Sequence, residues 1–224
     1  MDQSVLDAVK RWPNVPAVYG WLSLTARGEW KLHPLGDAQS GGAGQGITNT
    51  QILGFINRNY DTQADGAWFF QNGPQRVYVR LDAAPLIIHL EPASQALVTH
   101  HGKTVQRVSG WLCDETGQLY AKTDFGPSRI DDRDLLTLGE VLHTQEGLSL
   151  LDIFDQFPER LLSTTPSGAT DILLSDPQKR YLALTEPVPL SCVASETIAQ
   201  AMHFIHNPGP ESALPAALGR KIEP

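Results

Sequence analysis

At 224 residues, with 41% hydrophobic and 19% charged residues, the chain has an ordinary globular composition, which excludes a disordered or fibrous protein and leaves room for one large domain or two small ones. A formal net charge of −8 argues against a duplex nucleic-acid partner, which a basic face normally attracts. The longest apolar stretches, such as Ala83–Ile88, fall far short of the roughly 20 residues of a membrane span.

The start, Met1-Asp2-Gln3-Ser4, is acidic and polar and lacks the basic and apolar regions of a secretory signal. Val5, Leu6, Val9 and Trp12 then recur at helical spacing, so a short amphipathic helix is predicted, stopped by Pro13. Ala17–Leu24 and Glu29–His33 flank a Thr25–Gly28 turn and read as a β-hairpin. Residues 36–46 are Gly-rich and read as a flexible loop. Thr48 with Gln51 has the form of a capping box, and Ile47 with Ile52 that of a hydrophobic staple. The helix behind them should bury Ile52, Phe55 and Ile56 and end near Asn59. Ala67–Phe70 and Arg76–Leu81 form a second hairpin around Asn72-Gly73-Pro74, and Leu86–Leu90 and Leu97–His101 are two further strands.

The second half echoes this order. Gly20-Trp21-Leu22 returns as Gly110-Trp111-Leu112, and Pro74–Val79 returns as Pro177–Leu182 with Tyr181 in the place of Tyr78. Between these anchors lie two helical segments, Leu135–His143 and Leu150–Phe157, the latter behind a Ser149/Asp152 box. Trp21 and Trp111, each following Gly on an alternating strand, are expected to be buried. A last helix over Ser195–His206 is followed by a tail carrying Pro208, Pro210, Pro215 and Pro224, expected to be extended and mobile. The charge is uneven between the halves. Residues 1–104 hold 8 Lys/Arg and 8 Asp/Glu, whereas residues 105–224 hold 9 and 17. The acidic excess reads as a solvated surface, or as a docking face for a basic partner or a cation.

The hairpin–helix–hairpin order with Asp65-Gly66-Ala67-Trp68-Phe69-Phe70 resembles proteobacterial families of unknown function, mainly over residues 17–90. The resemblance implies a fold of repeated hairpin–helix motifs and a binding, regulatory or signalling role. It transfers no catalytic residue.

Motifs that would carry chemistry are absent or isolated. Gly41–Gly46 lacks the spacing of a nucleotide loop and a following Lys-Ser/Thr, and Asp124-Phe125-Gly126 stands without the other parts of a kinase. His203 and His206 are spaced to share a metal, but no third ligand accompanies them. Asp131, Asp132 and Asp134 suit a helix N-terminus, although a cation could use them. The only cysteines, Cys113 and Cys192, stand far apart in unrelated contexts. They suggest unpaired thiols in a reducing, cytoplasmic compartment, and Asp114 and Glu115 beside Cys113 disfavour a reactive thiolate.

The best polar constellation is on the strand after Pro74, where Arg76, Tyr78 and Arg80 alternate with Val77, Val79 and Leu81. Two guanidinium groups around a tyrosine can hold a carboxylate or phosphate. The chain is therefore expected to be α+β, with antiparallel sheets from two related hairpin–helix–hairpin halves and a C-terminal helix. The first half is residues 1–103, the acidic second half 104–190, and the C-terminal helix and Pro-rich tail 191–224. The expected function is non-catalytic recognition of a small anionic ligand or a protein partner at the junction of the halves, without nucleic acid or membrane. The alternative is an enzyme using an anionic small-molecule substrate, or a divalent cation at the acidic segment or at His203 and His206. No catalytic residue, metal ligand or cofactor is assigned.

Overall fold

The computed structural model describes residues 1–161 and 169–210. It is an α+β fold of two sheets. The tail positions Pro215 and Pro224 lie outside the described residues.

Helix α1 (Gln3–Arg11) ends before Pro13, which has no N–H to continue it. The first sheet follows, from β1 (Val18–Leu24), β2 (Trp30–Leu32), β3 (Gln45–Gly46), helix α2 (Thr50–Arg58), β4 (Tyr60–Thr62), β5 (Trp68–Asn72) and β6 (Gln75–Leu81), in the spatial order β3-β2-β1-β6-β5-β4. The β1–β2 hairpin is antiparallel, and β6 returns parallel to β1, with Leu22 opposite Val79 and Leu24 opposite Leu81. The cap of α2 is Asn49 and not Thr48: its carboxamide oxygen accepts from the N–H groups of Gln51 and Ile52 at 3.0 and 3.1 Å. The N–H that the box assigned to Thr48 is thus met one residue later. At the other end of α2, buried Asn59 donates to the Phe55 carbonyl and bonds with Asp2, tying α1 to α2.

The second sheet comprises β7 (Leu86–Glu91), β8 (Ala96–Thr99), β9 (Val108–Cys113), β10 (Leu119–Thr123), β11 (Gly126–Ile130), β12 (Ala169–Leu174) and β13 (Val188–Cys192), in the order β12-β13-β9-β10-β11-β7-β8. The chain thus changes sheets between Leu81 and Leu86, ahead of residue 103. Helices α3 (Leu135–Val141) and α4 (Leu150–Gln156) cover one face, and α4 carries the full Ser149/Asp152 capping box. Both faces of this sheet are buried at its centre. Ile88, Trp111, Leu119 and Ile130 pack with Leu138, Val141, Leu150 and Ile153 of the helices. Leu86, Leu112 and Tyr120 pack with Leu22, Leu24, Val79 and Leu81 of the first sheet. Helix α5 (Ile198–Met202) is shorter than expected, because His203 takes a left-handed conformation and turns the chain back. The segment after it crosses to the first sheet: Ile205 N–H donates to Gly66 O and Leu81 N–H to His206 O. Gly66 has φ +87°, and a Cβ there would stand 2.7 Å from the His203 carbonyl oxygen, so only glycine admits the crossing.

Three of the expectations fail as follows. Pro177–Leu182 is no strand. The carboxylate of Asp176, itself buried, accepts from the N–H groups of Gln178 and Tyr181, holding the segment as a turn before a short 3-10 stretch. Its amides are thereby taken from any ladder. The strand parallel to β9 is instead β13. Trp111 is 1% exposed, but Trp21 is 43% exposed. Gly20, at φ +81°, and a register shift between Val18 and Leu22 break the alternation in β1. Cys113 and Cys192 are bonded as a disulfide, because parallel pairing of β9 and β13 places them directly opposite.

The acidic segment starts α3 and joins the halves. Asp131, fully buried, accepts from the Arg133 backbone N–H and from its guanidinium at 2.8 and 3.0 Å. The neighbouring Asp132 pairs with Arg27 of the first hairpin at 3.0 Å. Burial alone would raise the Asp131 carboxyl, but the Arg133 hydrogen bonds outweigh it and hold the group well below the usual carboxylate range. A depressed folded-state pKa stabilises the fold fully above the unfolded value, about pH 4, and that contribution is lost as pH falls through the folded value. Asp131→Asn should therefore lower the Tm at neutral pH and flatten its decline between about pH 4 and pH 2, as melting curves across that range will show. For the tryptophans, Trp111→Ala should cost about 3–5 kcal/mol in denaturant unfolding. Trp21→Ala should cost less than about 1 kcal/mol, as at other half-exposed positions.

Candidate functional site

Six strands spaced about 4.8 Å apart make a sheet about 24 Å wide, whereas one helix covers only about 10 Å. The inner face of the first sheet is covered by the second sheet, by Ile198 and Met202 of α5 with Phe204 behind them, and by α2. What stays open is a groove of about 710 Å³ between α2 and β2, β1, β6 and β5. Trp30 fixes the helix over β2, its indole N–H donating to the Asn57 carboxamide at 2.8 Å. Phe55 and Ile56 from α2, Leu22 and Val77 from the sheet, and Phe70 from β5 form the apolar floor and wall. Trp21, Leu32 and Ile52, each 43–50% exposed, stand at its rim. Gln51, Asn72 and Gln75 supply the polar atoms, and among the described residues no charged one lines the groove. The apolar periodicity of α2 is legible in the sequence, but the half-exposure of Ile52 is not.

The strand face foreseen as an anion site has other contacts. Arg76, Tyr78 and Arg80 do share one face of β6, opposite Val77, Val79 and Leu81. Tyr78 is buried among Tyr19, Ala67 and Phe69, stacked on Tyr19 with ring centroids 4.7 Å apart. Its hydroxyl donates to the Gln63 carboxamide oxygen at 2.8 Å, and Arg76 Nη1 donates to that same oxygen at 3.1 Å while lying over the Phe69 ring. Arg80 donates to the Ala38 carbonyl at 2.8 Å and to Asp82 at 2.8 Å. It thereby pins the Gly-rich segment, which is an ordered loop with a helical turn at Ala38–Ser40.

That loop seals a second constellation. Ser23 Oγ lies 2.8 Å from His33 Nε2, and His33 Nδ1 lies 3.2 Å from Asp37 Oδ1. The order is that of a nucleophile, a base and an orienting acid. Ser23 and His33 are fully buried, however, and a Cβ added at Gly44 would stand 2.7 Å from His33 Nε2. No substrate reaches the hydroxyl, and the three groups clip the loop onto β1. His203 and His206 do not converge either: one ring meets the Ala64 carbonyl, and the other donates to the Leu81 carbonyl. A different set, His89, Asp131 and Asp134, brings its ligand atoms within 4.8 Å of one another. Arg133 occupies both Asp131 oxygens, and Asp134 accepts from the Leu90 N–H. With His89 Nδ1 3.4 and 3.8 Å from the two carboxylates, these contacts account for the cluster as a clasp between β7 and the start of α3.

Two solved structures are similar in part. A DUF1285 family protein from Silicibacter pomeroyi DSS-3 shares 13% identity over 83% of this chain and 87% of its own, with a TM-score of 0.47. A second DUF1285 family protein, from Shewanella baltica OS155, shares 15% identity over 53% of this chain and 89% of its own, with a TM-score of 0.38. No curated protein matches the sequence. The profile of the family DUF2944, described as "Protein of unknown function (DUF2946)", matches residues 1–209, and the chain belongs to that family.

Proposed function

We propose that the protein is a non-catalytic binding protein whose groove beside α2 takes an uncharged, largely apolar small molecule. One observation carries this reading: the groove is apolar and open, the described residues bring no charged group to it, and its volume falls within the about 300–1,000 Å³ of small-molecule sites. Aromatic rings of Trp21, Phe55 and Phe70 offer contact area, and the amides of Gln51, Asn72 and Gln75 offer neutral hydrogen bonds to one end of the ligand. A charged ligand would lose its hydration there without a counter-charge.

The repeated-motif reading supports the same place. β1 pairs antiparallel with β2 and parallel with β6, and β9 pairs antiparallel with β10 and parallel with β13. On this reading Trp21 and Trp111 are counterparts. Two helices close over Trp111, and one helix leaves Trp21 at an open groove. The copy lacking a second helix is the one that binds.

Titration with the uncharged dye N-phenyl-1-naphthylamine tests the proposal. One saturable site is expected, with a blue shift of tryptophan emission. Leu32→Glu and Ile52→Glu, both at half-exposed rim positions, should each weaken binding about tenfold or more while leaving the Tm nearly unchanged. Dye uptake that never saturates, or that both variants retain in full, refutes the reading.

A further inference from the structure

A second cavity, of about 420 Å³, lies where the two sheets and the C-terminal segment meet. Its walls come from the first hairpin turn (Ala26), the link between the sheets (Asp82, Ala83), β10 and β11 (Tyr120, Arg129), and the segment after β13 (Glu196, His206). Arg129 is the unusual member. It is 8% exposed, and its guanidinium donates to two neutral acceptors, the Ala26 carbonyl at 2.8 Å and the Gln118 carboxamide oxygen. Among the described residues no carboxylate forms an ion pair with it. Buried charges are ordinarily paired, because desolvation without a counter-charge is expensive. Here two carboxylates, Asp82 and Glu196, line the cavity beside Arg129, yet neither is paired with it.

The acids around the cavity say what fits. Asp82 is held by Arg80 at 2.8 Å, and Glu196 is exposed at the rim. Both repel an anion, and one of more than one charge the most, yet both can accept a hydrogen bond from a donor beside the anion. His206 keeps Nδ1 on the Leu81 carbonyl and so turns the other edge of its ring away from that bond. A planar fork of N–H groups matches a carboxylate best.

We propose that this cavity binds a small monocarboxylate with a neighbouring hydroxyl or amino group, its carboxylate on Arg129 and its donor toward Asp82 and Glu196. The site is separate from the apolar groove. Arg129 stands opposite Tyr120 on the second sheet, an arginine–tyrosine pair like those on β6.

Calorimetric titration with L-lactate, L-alanine and inorganic phosphate tests this on the wild type, Arg129→Lys, Ala83→Phe and the groove variant Ile52→Glu. At least one of the two acids should bind saturably and phosphate should not. Arg129→Lys should weaken that binding about tenfold or more, since one ammonium cannot reproduce the fork. Ala83→Phe fills the cavity without removing a hydrogen bond of Arg129, and should abolish binding even if Arg129→Lys proves unstable. Ile52→Glu should bind as the wild type does, which separates this site from the groove. Absence of saturation by both acids, equal binding by Ala83→Phe, or phosphate binding as tightly as the acids would overturn the proposal.

Discussion

The unequal covering of two sheets governs the rest of this structure. Apolar sheet faces must be removed from water, and the means available differ between the halves. The second sheet lies between α3 and α4 on one side and the first sheet on the other, so Leu86, Ile87 and Ile88 are wholly buried in succession. The first sheet receives the nine residues of α2 and a few side chains of the C-terminal segment on the part of its inner face that the second sheet leaves free. A strip of aromatic and aliphatic side chains is left at the surface as a groove, to which the described residues bring no charge. Scattered exposed apolar residues need no explanation, but a concave set of them does.

The same covering problem creates the seam between the sheets. The C-terminal segment closes that seam as a strap. It leaves β13 beside the Cys113–Cys192 disulfide, bonds Glu115 through Ser195, buries Ile198 and Met202, and ends on β6 through His206. Where the strap, the first hairpin turn and β11 meet, packing is incomplete and Arg129 is left with neutral partners. Other polar groups in the interior are clips: Ser23, His33 and Asp37 hold the Gly-rich loop, and Asp176 holds the turn before Leu182. All of these groups are bonded to protein atoms; Arg129 differs in having only neutral partners and a cavity beside it.

How far the sequence reaches depends on the range of each interaction. The hairpins around Thr25–Gly28 and Asn72–Pro74, the strands at Leu86 and Leu97, and the Ser149/Asp152 box are legible because their determinants lie within a few residues. The cap of α2 is legible only to within one residue, since Thr48 and Asn49 are both competent and the carboxamide of Asn49 reaches two amides. Pro177–Leu182 misleads because its letters repeat those of β6 while a carboxylate just upstream captures its amides.

By itself, then, the sequence determined the α+β class, the positions of most strands and helices, and the alternation that sets Arg76, Tyr78 and Arg80 against Val77, Val79 and Leu81. Only the tertiary structure decided which sheet β7 and β8 join, that Cys113 and Cys192 meet across 79 residues, and that Trp21 is open while Trp111 is closed. The physical reason is common to all of these. Local hydrogen bonds and periodicity act within a turn or a hairpin, whereas register between distant strands, and the area a helix leaves uncovered, exist only once the chain has packed against itself.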